Sequence, residues 1–193
     1  MTPPQAQRWD DRTTTTARAN VVALLVVLPL VLAGLIPYGL RWGPDGLRLV
    51  GEALTAVPLW GFIVVLVLGT LVHELLHVTT WRAASGLPDS VFRIGFQWKT
   101  LTPYAHCAVP MTAHAYRWGA VAPGLVLGVL PVGLATLIGA PHLLLFGLFF
   151  ALAAGGDALL LWLLRDVPAD RLVQDHPTRL GCQVETDLAA AVP

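Results

Sequence analysis

Ala53 to Thr80 reads ALTAVPLWGFIVVLVLGTLVHELLHVTT, an apolar run with two histidines and one glutamate set near its end. A helix needs about 20 residues to cross a hydrocarbon core, and this stretch exceeds that. A charged side chain at the centre of a bilayer costs about 2.5–3.5 kcal/mol even on the lenient insertion scale, so such residues persist where they face one another, a cavity or a metal. The placement of His73, Glu74 and His77 therefore constrains how the rest of the chain must be arranged.

The 193 residues are 55% hydrophobic and 12% charged, with a mean hydropathy of +0.67. Soluble domains usually carry about 25% charged residues, a deficit that points to lipid covering much of the surface. The formal net charge is +0, and no basic run occurs, so nucleic acid is excluded as an expected partner. Cys107 and Cys182 lie far apart, without CxxC or zinc-finger spacing, and read as reduced thiols.

Working outward, residues 1–18 are polar and read as a disordered cytosolic tail, followed by a single domain over 19–193. Spans are expected at about 19–40, 53–80, 119–138 and 142–164, with a polar loop carrying Arg41, Asp45, Arg48 and Glu52 between the first two. A cleaved signal peptide is the rival reading of the first span, but its apolar stretch exceeds the usual ~7–15 residues and no clear A-x-A site follows. Between the second and third spans, Ser90–Trp98 is rich in β-branched and aromatic residues and predicts a short hairpin or loop. Leu180–Glu185 reads as a further strand. The fold class expected is all-α and membrane-integral, with four transmembrane helices and that short cytosolic β-hairpin.

Orientation follows from the basic residues, which are enriched on the cytosolic side of membrane proteins. Four spans put ten Arg and Lys residues on one side and only Arg41 and Arg48 on the other. Both termini and the middle segment are then cytosolic, in a multi-pass protein of the cell membrane.

His73-Glu74-Leu75-Leu76-His77 is an H-E-x-x-H sequence. Positions i and i+4 share one helix face, so two imidazoles can converge on one tetrahedral zinc ion. The intervening glutamate is placed to take a proton from zinc-bound water. Among the other acidic residues, Asp157 alone lies as deep in apolar sequence as Glu74. It precedes Arg165 by eight residues, about 12 Å of helix, while His73 and His77 precede Arg82 by nine and five, about 13.5 and 7.5 Å. Asp157 is thus level with the histidine pair, as a third ligand must be. Three protein ligands leave a fourth position open, the pattern of a catalytic site. His106 and His114 are candidates for a donor to the oxyanion, and with Asp175 they stand next in line as ligands.

These residues resemble the core of site-2-type intramembrane metalloproteases, and more closely a bacterial family described as putative zincin peptidases. The resemblance rests on HELLH at His73–His77, YRWGAVAPG at Tyr116–Gly124, GGDALLLWLL at Gly155–Leu164 and DHPTRLG at Asp175–Gly181, and covers roughly Leu59 to Val184. It implies His73, His77 and Asp157 as zinc ligands and Glu74 as the catalytic residue. The chain departs from the Asn-x-x-Pro-x-x-x-Leu-Asp-Gly pattern of site-2 proteases, since here the aspartate follows Gly155-Gly156 and precedes Ala158.

The expected function is hydrolysis of peptide bonds in a membrane-anchored protein or peptide, with Ser90–Trp98 offering an edge for an extended substrate or plugging the inner face. The alternatives are a zinc-binding scaffold or pseudoprotease that does not cut, and a proton or metal transporter. An intact Glu74 favours catalysis over a scaffold, and polar residues gathered at one depth argue against a path.

Overall fold

Proline and glycine divide the apolar sequence into its elements. The structure, a computed structural model, describes residues 8–98 and 102–186. Pro58, in extended conformation, opens the helix that carries the histidines, and Gly86, at φ 66°, closes it by donating its N–H to the Arg82 carbonyl. Only a residue without Cβ adopts that left-handed cap cheaply. The helix before it, α1 (Thr16–Ala56), is interrupted at Gly43 (φ 65°) and resumes at Pro44. The histidine helix, α2 (Leu59–Ser85), begins six residues later than the expected 53. The loop expected between the first two spans is therefore the second limb of α1. Its charges suit a helix: Arg48 bonds Glu52 at 2.7 Å, one turn ahead.

A hairpin follows, β2 (Phe92–Gln97) with β3 (Thr102–Cys107), as the sequence predicts. After β4 (Met111–Thr112), the third apolar run divides into α3 (Ala113–Pro123), a π-helical stretch Gly124–Val129, and α4 (Leu130–Ile138). It starts at Ala113, earlier than the expected 119, because Thr112 caps it by accepting the Ala115 N–H. The expected span 142–164 is broken. Pro141–Ala153 (α5) and Gly155–Leu163 (α6) meet at an angle of 41°, with Ala154 off helical geometry between them. Among the described residues, three helices are long and apolar enough to cross a membrane, or four if this bent pair counts as one.

Two expectations are corrected by the second sheet. The chain is mostly helical but not all-α. β5 (Leu172–Asp175) and β6 (Leu180–Glu185) join β4 and an N-terminal strand, β1 (Trp9–Thr14), in an antiparallel sheet of order β1-β6-β5-β4. The segment expected to be a disordered tail over 1–18 thus contributes a strand, registered from Trp9↔Glu185 to Thr14↔Leu180. Its first seven residues lie outside the described ones. The strand pairs with β6 along its whole length. Polar side chains did not prevent pairing because the backbone of β6 supplies the hydrogen bonds, and Arg12 bonds Asp166 at 3.1 Å.

The sheet packs on the ends of α2, α3 and α6 through a core of Trp81, Met111, Tyr116, Leu164, Val173 and Cys182. A second cluster joins Tyr38 and Val50 of α1 to Ala135, Leu144 and Leu148. In the bundle, α1 packs on α5 and α6, and α2 packs on α3. Two close approaches depend on missing side chains: a Cβ at Gly69 of α2 would overlap the Phe150 ring, and one at Gly128 would stand 3.0 Å from Ala151.

Candidate metal centre

On α2 the apolar side chains are largely exposed, with Leu59 74% and Trp60 72% accessible, whereas His73, Glu74 and His77 are 8%, 9% and 7% accessible. A helix that shows its leucines and hides its ionisable groups inverts the usual preference of side chains for water. The buried groups face Asp157, carried in the first turn of α6. His73 Nε2 lies 3.2 Å from Asp157 Oδ2, and His77 Nε2 lies 3.3 Å from Asp157 Oδ1. All three side chains offer ligand atoms within 4.8 Å of one another. Two ligand atoms on a tetrahedral zinc ion at its usual 2.0–2.1 Å stand about 3.3 Å apart. The group could hold a metal ion.

The second imidazole is held in one tautomer. Its Nδ1 lies 3.0 Å from the Gly119 carbonyl of α3, which only accepts, so Nδ1 carries the proton and donates it. Nε2 then presents a bare lone pair to a carboxylate oxygen. Two acceptors at that distance repel, and a cation between them resolves the conflict, as does an added proton.

The sequence explains why that carbonyl is free. In an α-helix the Gly119 C=O would accept from the N–H of residue 123, but residue 123 is proline and has none. The π-helical stretch begins there, as such irregular turns often do at functional sites. Residue 119 must also be glycine, because a Cβ there would overlap the Trp81 indole at Nε1. Trp81 stacks on His77 with ring centroids 5.2 Å apart and donates to the Tyr116 carbonyl. Orienting contacts of this kind fix the direction of a metal-binding imidazole. The Gly119–Pro123 pair within the Tyr116–Gly124 stretch thus has a physical role that motif spacing alone did not reveal.

A cavity of about 220 Å³ opens beside these residues, bounded by α2, α3, α6 and parts of both sheets. Pro103, Tyr104 and Ala105 of β3 line it together with Glu74, and the Ala105 backbone lies towards the Glu74 carboxylate. β3 pairs only with β2, so its other edge has no strand partner among the described residues. The edge beside the site therefore belongs to β3, and not to the Ser90–Trp98 segment expected to offer it.

The reserve candidates separate. His106 Nδ1 lies 3.1 Å from Asp175 Oδ2, and Asp175 lines the cavity. His114 sits on α3 beside the Trp118 ring, with its backbone N–H on Ala169, and is not part of the cavity wall. Neither His106 nor Asp175 belongs to the convergent ligand group. Sequence reasoning missed Tyr116, whose hydroxyl donates to Asp175 Oδ1 at 2.6 Å from within the cavity wall.

Both cysteines are free and buried. Burial pushes the Cys182 thiol up to about 12 and raises that of Cys107, so neither offers a nucleophilic thiolate at neutral pH.

A family model described as "putative zincin peptidase" matches residues 66–172, just over half of the chain. That segment carries the two histidines, the glutamate, the hairpin, the proline-broken third helix and Asp157, and it ends within the first residues of β5. No curated protein and no solved structure matches.

Proposed function

Because the chain belongs to the family described as putative zincin peptidase, we propose that it is a zinc metallopeptidase working inside a membrane, hydrolysing peptide bonds of membrane-anchored proteins with Glu74 as general base. The observation that carries this reading is the meeting of His73, His77 and Asp157, from two helices, beside a buried glutamate. Zinc held by those three side chains would supply Lewis acidity towards a carbonyl and make water acidic enough to lose a proton near neutral pH.

The chain's own residues account for the rest. Glu74 takes a proton from the attacking water and returns it to the leaving amine, the two roles of a single positioned base. Its carboxylate shares the cavity with Ala105 of β3, beside the free edge of that strand. An extended peptide adding to that edge would lay its backbone along the cavity, where main-chain hydrogen bonds select strand conformation over helix. The small cavity limits water around the reacting bond, which strengthens every charge interaction within it.

Membrane placement is supported by α2. Only 17% of its most apolar window is buried inside the protein. Contiguous apolar surface on that scale is not tolerated in water. With the helices spanning, the bias of basic residues puts both termini and both sheets in the cytosol, and the site lies within a few turns of the inner face.

Zinc content of the detergent-purified protein tests the ligands. About one zinc per chain is expected, with loss in both His73→Ala and Asp157→Ala. Glu74→Gln should keep its zinc and lose cleavage of a membrane-anchored reporter. Unimpaired cleavage by that variant would overturn the assignment of Glu74 as the base, whereas no cleavage by the zinc-loaded parent would leave a metal-dependent scaffold.

A further inference from the structure

Asp175 lies beyond the segment matched by the family model and reaches the cavity from β5. Each of its carboxylate oxygens holds one partner: Tyr116 Oη on Oδ1 at 2.6 Å, and His106 Nδ1 on Oδ2 at 3.1 Å. The two partners stand on the two elements that touch the reactive residues. Tyr116 is three residues before Gly119 on α3, hence on the same helix face, and the Gly119 carbonyl fixes the His77 ring. His106 follows Ala105 on β3, which lines the cavity beside Glu74.

One carboxylate therefore ties together the arm that orients a metal-binding histidine and the arm that lies beside the base. We propose that Asp175 is a positioning residue of the site, setting His77 through Tyr116 and α3, and setting Glu74 through His106 and β3. This rests on the metallopeptidase reading. It adds the C-terminal sheet to the working parts of the site, a role that a merely structural strand would not have. The geometry suits such a brace, since both oxygens are engaged at once, Tyr116 is 2% accessible, and both anchoring elements border the cavity. Removing the charge while keeping the shape should loosen both arms, and removing one donor should loosen only its own.

The test uses the full chain in detergent, loaded with cobalt(II), whose visible absorption reports the arrangement of ligands. Cobalt affinity is measured by competition with a chelator, and amide hydrogen exchange is followed along β3. Asp175→Asn and Tyr116→Phe should weaken cobalt binding about tenfold or more, as loss of an orienting contact does, and should alter the absorption band. His106→Ala should leave affinity and band unchanged and instead speed exchange in β3. Asp175→Asn should do this as well, and Tyr116→Phe should not. Gln174→Ala, which removes the neighbouring bond to Gln183 in the same sheet, serves as control and should change neither reading. Affinities within twofold of the parent for both Asp175→Asn and Tyr116→Phe, with superimposable bands, overturn the proposal. So does a Gln174→Ala protein that behaves like Asp175→Asn, since the effect would then be general loosening of the sheet. A parent protein that takes up no cobalt defeats the metal reading itself, and the proposal with it. Cobalt bound normally by the parent and unaffected by Asp175→Asn defeats the proposal alone.

Discussion

Replacing Pro123 with alanine puts a backbone N–H where the third helix now has none. The new donor falls four residues after Gly119, whose carbonyl accepts the His77 Nδ1–H at 3.0 Å. The helix gains by the change, because proline in a helix interior costs about 3 kcal/mol relative to alanine. His77 loses sole use of its acceptor. A carbonyl has two lone pairs and can be shared, so the loss is at most one net hydrogen bond, about 0.5–1.5 kcal/mol. That corresponds to roughly a two- to twelvefold weaker metal affinity. The two effects have opposite signs, which makes the prediction specific: the metal-free variant should melt at the same or a higher temperature while binding zinc less tightly. Chelator competition gives the affinity, and scanning calorimetry of the metal-free protein gives the stability. Unchanged affinity in a folded variant would refute the argument that proline frees this carbonyl for the histidine. A fall in both quantities would show that the proline supports the helix for another reason.

Three further outcomes follow from the packing and charges. Gly69→Ala should destabilise the protein by about 1–3 kcal/mol, the usual cost of overpacking, because its Cβ would overlap the Phe150 ring; thermal unfolding reads this, and an unchanged midpoint would mean that α5 shifts freely. The bond from Gln183, with the charges of His176 and Arg179, holds the Asp11 carboxyl below the usual range, and its own backbone N–H and Arg12 do the same for Asp166. A lowered folded pKa gives stabilisation that is complete above about pH 4 and is lost as pH falls through the folded values, so β1 should be cut by protease more readily in acid, and equal cutting at pH 3 and pH 7 would contradict this. Cys182, with its thiol near 12, should resist alkylation at pH 8 until the protein unfolds; prompt labelling of the native protein would show that the sheet opens.

The candidate site was legible because isolated charge is costly in apolar surroundings. Two histidines and two acids buried in apolar sequence had to meet, and counting helix rise from Arg82 and Arg165 placed Asp157 at the right depth, even though the fourth span proved to be bent at Ala154. Leu180–Glu185 was readable as a strand from its own residues. β1 was not, since Trp-Asp-Asp-Arg-Thr-Thr has no apolar alternation and is a strand only because β6 lies beside it. The charged residues between the first two spans suggested a loop, whereas i,i+4 pairing of Arg48 with Glu52 makes them a good exposed helix surface. Contacts through a carbonyl, such as Gly119 to His77, leave no mark on hydropathy. They become visible only when a proline is asked which hydrogen bond it removes.

The pairing of β1 with β6 has a consequence for how the molecule is made. Thr186 bonds back to Arg8 across 178 residues of sequence. A ribosome adding about 5–20 residues per second needs roughly 9–36 s to cover that distance. Through that interval the first strand has nothing to pair with, and for more than its second half the histidine-bearing helix and its glutamate already exist. Asp175, too, arrives late. The nascent chain therefore carries its candidate metal-binding histidines well before it carries Asp175, and the cavity wall is complete only once β5 has been made.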